Sequence, residues 1–242
     1  AKVPGIRKVA ITTNGCLLPR HLPGWHRAGL TALNVSMDSL QRERFHAITG
    51  HDRLPEIMEG IALAQELGLQ SIKLNAVLLR GLNDDELPAW LDYVRTRALS
   101  VRFIELMRTG DNGDCFDRHH LRIDLWEEQL REAGWTLRPR VPGAGPAREY
   151  AHPEYAGTIG LIAPYGRDFC AGCNRLRVTA RGELRLCLFG EFGVSLRPLL
   201  QADDQREALI GRVQELLAGK AASHALHAGR TGLTPHLASI GG

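Results

Sequence analysis

Nothing in this chain approaches the roughly 20 consecutive apolar residues that a membrane-spanning helix requires, and no export-signal pattern opens it. Cysteine is sparse. Five in 242 residues are too few for a disulfide scaffold at this length. An excess of one charge sign is missing as well: 30 Lys and Arg face 27 Asp and Glu, which gives no basis for bulk nucleic-acid binding, although local basic clusters can still serve an anionic ligand. Internal repeats and low-complexity tracts are also absent. What remains, 44% hydrophobic and 24% charged residues, is ordinary for a globular protein and excludes a disordered or fibrous one. Three of the five cysteines crowd into one short stretch, Cys170 to Cys187, which points to a metal rather than to disulfides. The expectation is a cytoplasmic, metal-carrying enzyme with no membrane or nucleic-acid partner.

From the start to about Met107, short apolar strands alternate with helical stretches. Lys8–Thr13, Ala32–Met37, Ser71–Leu78 and Val101–Leu106 read as strands; Leu22–Gly29, Leu54–Gly68 and Asp84–Arg97 read as helices, the last with Asp84 as N-cap. Strict alternation predicts an α/β fold with a parallel sheet and right-handed crossovers, open or curled into a barrel.

The period of two inside the strands says more. Ile72, Leu74 and Ala76 share one face, opposite Ser71, Lys73 and Asn75. Leu33, Val35 and Met37 likewise oppose Asn34, Ser36 and Asp38, and Val9 and Ile11 oppose Ala10, Thr12 and Asn14. The apolar faces suit a covering layer of helices. A doubly covered parallel sheet would be apolar on both faces, yet here the second face is polar and carries a lysine. Burying such groups without partners is costly, so a large polar ligand is expected on that face; a solvated sheet face is the competing reading.

After Met107 the pattern changes. Residues 109–114 and 141–146 are loops, Ile123–Ala133 is an amphipathic helix, and three short strands follow: Thr158–Ala163, Arg175–Thr179 and Glu183–Leu188. Ala180, Arg181 and Gly182 form the turn of a hairpin between the last two, and a helix covers Arg206–Leu217. The expected domains are therefore 1–107 and 108–242.

Cys170, Cys173 and Cys187 have the spacing C-x2-C-x13-C, with the third cysteine beyond the hairpin, where its sulfur can fold back. Thiolates so spaced bind zinc or an iron–sulfur cluster, and the spacing leaves both open. A closed zinc site wants a fourth ligand, and no residue stands at the expected distance; three thiolates suit a four-iron cluster with one iron open. Between the cysteines, Arg175 and Arg177 are candidates for a phosphate, set against the commoner fate of a solvated surface pair.

These residues carry a resemblance. Cys170-x2-Cys173-Asn174-Arg175-Leu176-Arg177, the later Cys187-Leu188-Phe189 and the terminal Gly241-Gly242 resemble the GTP 3',8-cyclase family of molybdenum cofactor biosynthesis, radical S-adenosylmethionine (SAM) enzymes. Residues 11–15, 34–40, 45–50, 81–84, 102–105 and 145–147 look like further motifs of that family in the same order. The resemblance implies the C-terminal part of a partial (βα)6 radical-SAM barrel, followed by a smaller α+β domain with an auxiliary [4Fe–4S] cluster. It implies removal of hydrogen from ribose C3' of GTP by a 5'-deoxyadenosyl radical and attack of the carbon radical on guanine C8.

Residue by residue, the resemblance makes Cys170, Cys173 and Cys187 ligands of the auxiliary cluster and gives Arg175 and Arg177 the GTP phosphates. Thr12, Lys73 and Arg102 would contact GTP, Ser36 and Met107 would contact SAM, and Gly241 and Gly242 would enter the active site. It also implies an electron donor, and transfer of the product to the next enzyme of pterin synthesis; a homodimer is one option for assembly. Two family features do not occur in this sequence: the C-x3-C-x2-C loop that holds the first [4Fe–4S] cluster, and a later Gly-Gly-Glu stretch. The chain is thus expected to be a fragment, inactive alone, with the second cluster present only when that segment is. Residues 163–168 also depart from the family's serine-containing stretch. The competing functions are a zinc-stabilised nucleotide-binding module without radical chemistry and a radical enzyme acting on a peptide; the double-glycine tail and the Asn-Arg-x-Arg motif argue against the latter.

Overall fold

The computed structural model describes residues 3–141, 144–166, 169–171, 173–190, 193–221, 223–224, 226 and 229–232. The chain segregates into two compact units: Ala1–Leu106 with His119–Ala163, and Met107–Arg118 with Pro164–Gly242.

The first unit is built on a seven-stranded sheet. Its strands are β1 (Ala10–Thr13), β2 (Ala32–Ser36), β3 (Ser71–Leu78), β4 (Ser100–Glu105), β5 (Thr136–Leu137), β6 (Arg148–Ala151) and β7 (Thr158–Ile162), in the order β1-β2-β3-β4-β7-β6-β5. The pairs from β1 through β4 to β7 are parallel, and β6 and β5 add antiparallel strands at one edge. The predicted alternation holds: Ile72, Leu74 and Ala76 are buried, as are Leu33, Val35 and Met37.

The helices over the apolar face are α1 (Leu18–Arg27), α2 (Arg42–Thr49), α3 (Leu54–Glu66) and α4 (Leu87–Arg95), joined later by α6 (Asp124–Glu132). Leu18, Leu22, Ile57, Ile61, Ala64, Trp90 and Trp126 point into one core with the strand residues. Phe103 of β4 sits edge-on between Trp90 and Trp126, with ring centroids 5.8 and 4.4 Å away, a favoured aromatic geometry. Gly15, after β1, has φ of 81°, and a Cβ there would stand 2.9 Å from Val35 Cγ1. Only glycine fits the turn that lays α1 on the sheet.

Two helix starts differ from expectation. α1 begins four residues before Leu22 because Pro19 occupies the first turn, where a missing N–H costs nothing. α4 begins at Leu87, and Asp84 does not cap it: its carboxylate accepts the Gly81 N–H at 2.9 Å and closes a turn. α2 was not anticipated, because Phe45 is its one buried apolar residue and shows no period.

The second unit contains α5 (Gly113–His119) in part, a three-stranded antiparallel sheet of β8 (Arg177–Val178), β9 (Glu183–Arg185) and β10 (Val194–Ser195), and α7 (Arg206–Ala218). The expected hairpin turn is present, with Thr179 N–H bonded to the Glu183 carbonyl at 2.9 Å. Its strands are shorter than expected, so Arg175 precedes β8 rather than lying on it. No helix among the described residues is long and apolar enough to cross a membrane.

Candidate functional site

The strand register turns the polar residues of the first unit into two rows. Thr12, Asn34, Lys73, Ser100 and Thr158 stand side by side across β1, β2, β3, β4 and β7. Ser36, Asn75, Arg102, Gly160 and Glu149 form the next row, across β2, β3, β4, β7 and β6. Rows two residues apart share a face. Thr12, Lys73 and Arg102, expected to face one ligand, are therefore on one side of the sheet, opposite the helices.

Within this face Asn34 donates from Nδ2 to Thr12 Oγ1 at 3.2 Å. Arg102, 9% exposed, donates from Nη2 to Glu149 Oε1 at 2.7 Å. Asn75 Oδ1, Ser100 Oγ and Arg102 Nε are buried without a protein partner. Each such atom costs about 1–3 kcal/mol unless a ligand or water meets it, which favours the ligand-bearing reading of this face. Burial first, then the charges of Arg102 and Lys8, push the Lys73 ammonium down to about 8, against a smaller opposing pull from Glu149.

Several of the motif residues prove to be structural pegs. Asn83 donates to the Asp38 and Val77 carbonyls at 2.7 and 2.9 Å and accepts the Leu79 N–H at 2.8 Å, tying the ends of β2 and β3 together. Buried Glu86 accepts Ser39 Oγ–H at 2.7 Å and the Leu40 N–H at 3.2 Å. Asp38 does not join the polar rows as a free group: its carboxylate accepts the Val77 N–H at 2.8 Å, while burial raises its pKa. Ser36 closes β2 and is exposed. Met107 opens the second unit, where its carbonyl accepts Asn112 Nδ2 at 2.9 Å.

In the second unit Cys170, Cys173 and Cys187 are free and half-buried, and the Cys173 N–H closes a turn onto the Cys170 carbonyl at 3.0 Å. Burial pushes the Cys173 thiol up, but the Arg175 N–H, the Arg175 guanidinium and Lys220 outweigh it and leave the thiol below its ordinary range. Burial and Arg175 lower the Arg177 pKa, opposed by the Cys173 and Cys187 thiols. Among the described residues no three His, Cys, Asp or Glu side chains form a ready metal-holding group. What fits a cluster is the donor chemistry, three soft thiols with cationic neighbours that favour the thiolate.

Arg175 lies over the Phe169 ring at 5.5 Å. Gly241 and Gly242 lie outside the described residues.

Two site residues escaped the sequence reading. Glu149 lies on β6, whose four residues Arg-Glu-Tyr-Ala carry no legible alternation. Lys220 donates from Nζ to the Cys173 and Arg175 carbonyls at 3.3 and 3.4 Å; a lysine 47 residues from its partner leaves no local signal.

Residues 1–94 match the family described as Radical SAM superfamily, and residues 99–226 the one described as Molybdenum Cofactor Synthesis C. A GTP 3',8-cyclase of Stenotrophomonas maltophilia (strain R551-3) is 75% identical over 242 residues, which cover 100% of this chain and 74% of that protein. The GTP 3',8-cyclase of Aeromonas hydrophila subsp. hydrophila is 53% identical over 100% of this chain and 71% of its own length. That of Yersinia pestis is 50% identical over 99% of this chain and 73% of its own. These matches do not favour a zinc module without radical chemistry. Identity of this order along the whole sequence places the chain in the GTP 3',8-cyclase family, within the radical SAM superfamily.

Proposed function

We propose that this chain carries the GTP-handling part of a GTP 3',8-cyclase, an enzyme that converts GTP to (8S)-3',8-cyclo-7,8-dihydroguanosine 5'-triphosphate in the first step of molybdenum cofactor biosynthesis. Kinship along the entire chain carries the reading, and the polar sheet face with its unpartnered buried donors and acceptors supports it. When bound, the family's [4Fe–4S] cluster and SAM supply the radical that takes hydrogen from ribose C3'.

The chain's own residues bind and orient. In the first unit, Thr12, Lys73 and Arg102 are assigned to GTP and Ser36 to SAM. In the second, Arg175 and Arg177 are assigned to the GTP phosphates, Met107 to SAM, and Cys170, Cys173 and Cys187 to an auxiliary [4Fe–4S] cluster. Gly241 and Gly242 are assigned a catalytic role. Strands β1 to β4 would be the C-terminal part of a partial (βα)6 barrel in residues 1–107. Residues 108–242 would form the auxiliary-cluster and GTP-binding domain, although β5, β6 and β7 extend the same sheet. A second [4Fe–4S] cluster would be held by a C-x3-C-x2-C segment outside this sequence. An electron donor, delivery of the product to the next pterin-forming enzyme and a homodimer complete the proposal. Five free thiols suit a reducing, cytoplasmic setting.

Equilibrium dialysis of the anaerobically prepared protein tests it. GTP should bind, and guanosine should bind at least about tenfold more weakly, since the phosphates meet charge-assisted donors. Equal affinity for both would contradict the phosphate assignments, and no binding of either would contradict the reading itself.

A further inference from the structure

We infer that Glu149 is the positioning residue for Arg102: it holds the guanidinium across the cradle at Gly160 so that the remaining donors serve an oxygen of the bound nucleotide. The inference deepens the GTP-binding reading above and rests on it.

The register carries the argument. Arg102, Gly160 and Glu149 are consecutive partners on β4, β7 and β6. To reach Glu149, the Arg102 side chain must pass over the intervening strand, and it does so where that strand has no side chain. A Cβ on Gly160 would stand 2.9 Å from Arg102 Cγ and 3.3 Å from Ala147 Cβ. Gly160 therefore provides the track and Glu149 its end, at 2.7 Å from Nη2.

A guanidinium is a rigid planar fork, so fixing one nitrogen fixes the direction of the others. Nη2 is committed to Glu149, whereas Nε is buried and has no protein partner. Nη1 stands 3.7 Å from where a Cβ on Gly145 would lie, an ordinary contact distance. Donors held in a fixed direction and left unmet by protein suit an acceptor oxygen brought by a ligand. A purely structural ion pair explains this less well. With side chains 11% and 32% exposed, such a pair accounts for the Nη2 contact but leaves the buried Nε unmet. The Glu149 charge also offsets the like charges of Lys8 and Arg102, both of which bear on Lys73.

The test is equilibrium dialysis of GTP against the anaerobically prepared protein and four variants: Arg102→Ala, Glu149→Ala, Glu149→Gln, and Arg102→Ala with Glu149→Ala. Thermal melts report on folding. Glu149→Ala should weaken GTP binding about tenfold, the scale of one charge-assisted hydrogen bond. Glu149→Gln retains an acceptor oxygen and should return affinity to within about threefold of wild type, with all melting temperatures close together. In the Arg102→Ala background, removing Glu149 should change affinity less than about twofold, because the residue acts through Arg102. Equal losses in both backgrounds, or no loss from Glu149→Ala when Arg102→Ala weakens binding, would overturn the inference and leave the GTP reading standing. Failure of the wild-type protein to bind GTP would overturn both.

Discussion

Lys73 and Arg102 are diagonal neighbours on the polar face of the sheet: Arg102 lies opposite Asn75, two residues along β3 from Lys73. Burial first, and then the Arg102 charge, bring the Lys73 ammonium down to about 8. Two cations so close suit a polyanion better than they suit each other.

That relationship sets a pH dependence. Below about pH 8 Lys73 is protonated and attracts GTP; as pH rises through that value the charge is lost. GTP affinity should therefore fall between pH 7 and 9, and Lys73→Ala should bind more weakly with a flatter profile. The stability contribution has the opposite sign. An unfolded lysine titrates near 10.5, so between about 8 and that value the unfolded chain binds more protons, and Lys73 makes stability rise with pH. Titrating GTP affinity in wild type and variant checks this, and identical profiles would contradict it.

Arg175→Ala and Arg177→Ala should each weaken GTP binding by about 1–3 kcal/mol, the scale of a charge-assisted hydrogen bond. Guanosine, which lacks phosphates, should be insensitive to both. Equal losses for the two ligands would mean that the changes damage the hairpin that carries Arg177, not phosphate recognition.

Replacement of Cys170, Cys173 or Cys187 by alanine should abolish iron and acid-labile sulfide in anaerobically reconstituted protein, measured by metal analysis and absorbance. Cys16 and Cys115 should be replaceable without that loss. Stoichiometric zinc without sulfide would contradict the cluster assignment.

Gly15→Ala forces a side chain into a left-handed turn, 2.9 Å from Val35 Cγ1 and 3.1 Å from Ile57 Cγ1. A destabilisation of about 1–3 kcal/mol in urea unfolding is expected. An unchanged midpoint would show that the turn has room.

What was legible in the sequence was mostly local. Alternation in Ser71–Leu78 revealed both faces of β3, and the same reading placed Asn34, Lys73 and Asn75 on the polar side, where the register confirms them as members of its two rows. The cysteine spacing was equally plain. Glu149 was not, because β6 has only Tyr150 buried among its four residues and earns its strand by pairing with β7. Nor could spacing tell that Arg102 reaches its partner over Gly160, since that depends on which strands become neighbours. Asp84 misled for a similar reason: a residue suited to capping a helix is equally suited to closing a turn, and here its carboxylate accepts the Gly81 N–H.

The most direct test of the central claim joins this chain to the part of the Stenotrophomonas maltophilia relative that it does not cover. The folded chimera would then be supplied anaerobically with GTP, SAM and a strong reductant, and its nucleotides analysed by mass spectrometry. The account predicts a cyclised nucleotide, with deuterium from GTP labelled at C3' appearing in 5'-deoxyadenosine. A chimera that cleaves SAM while leaving GTP unchanged would contradict it.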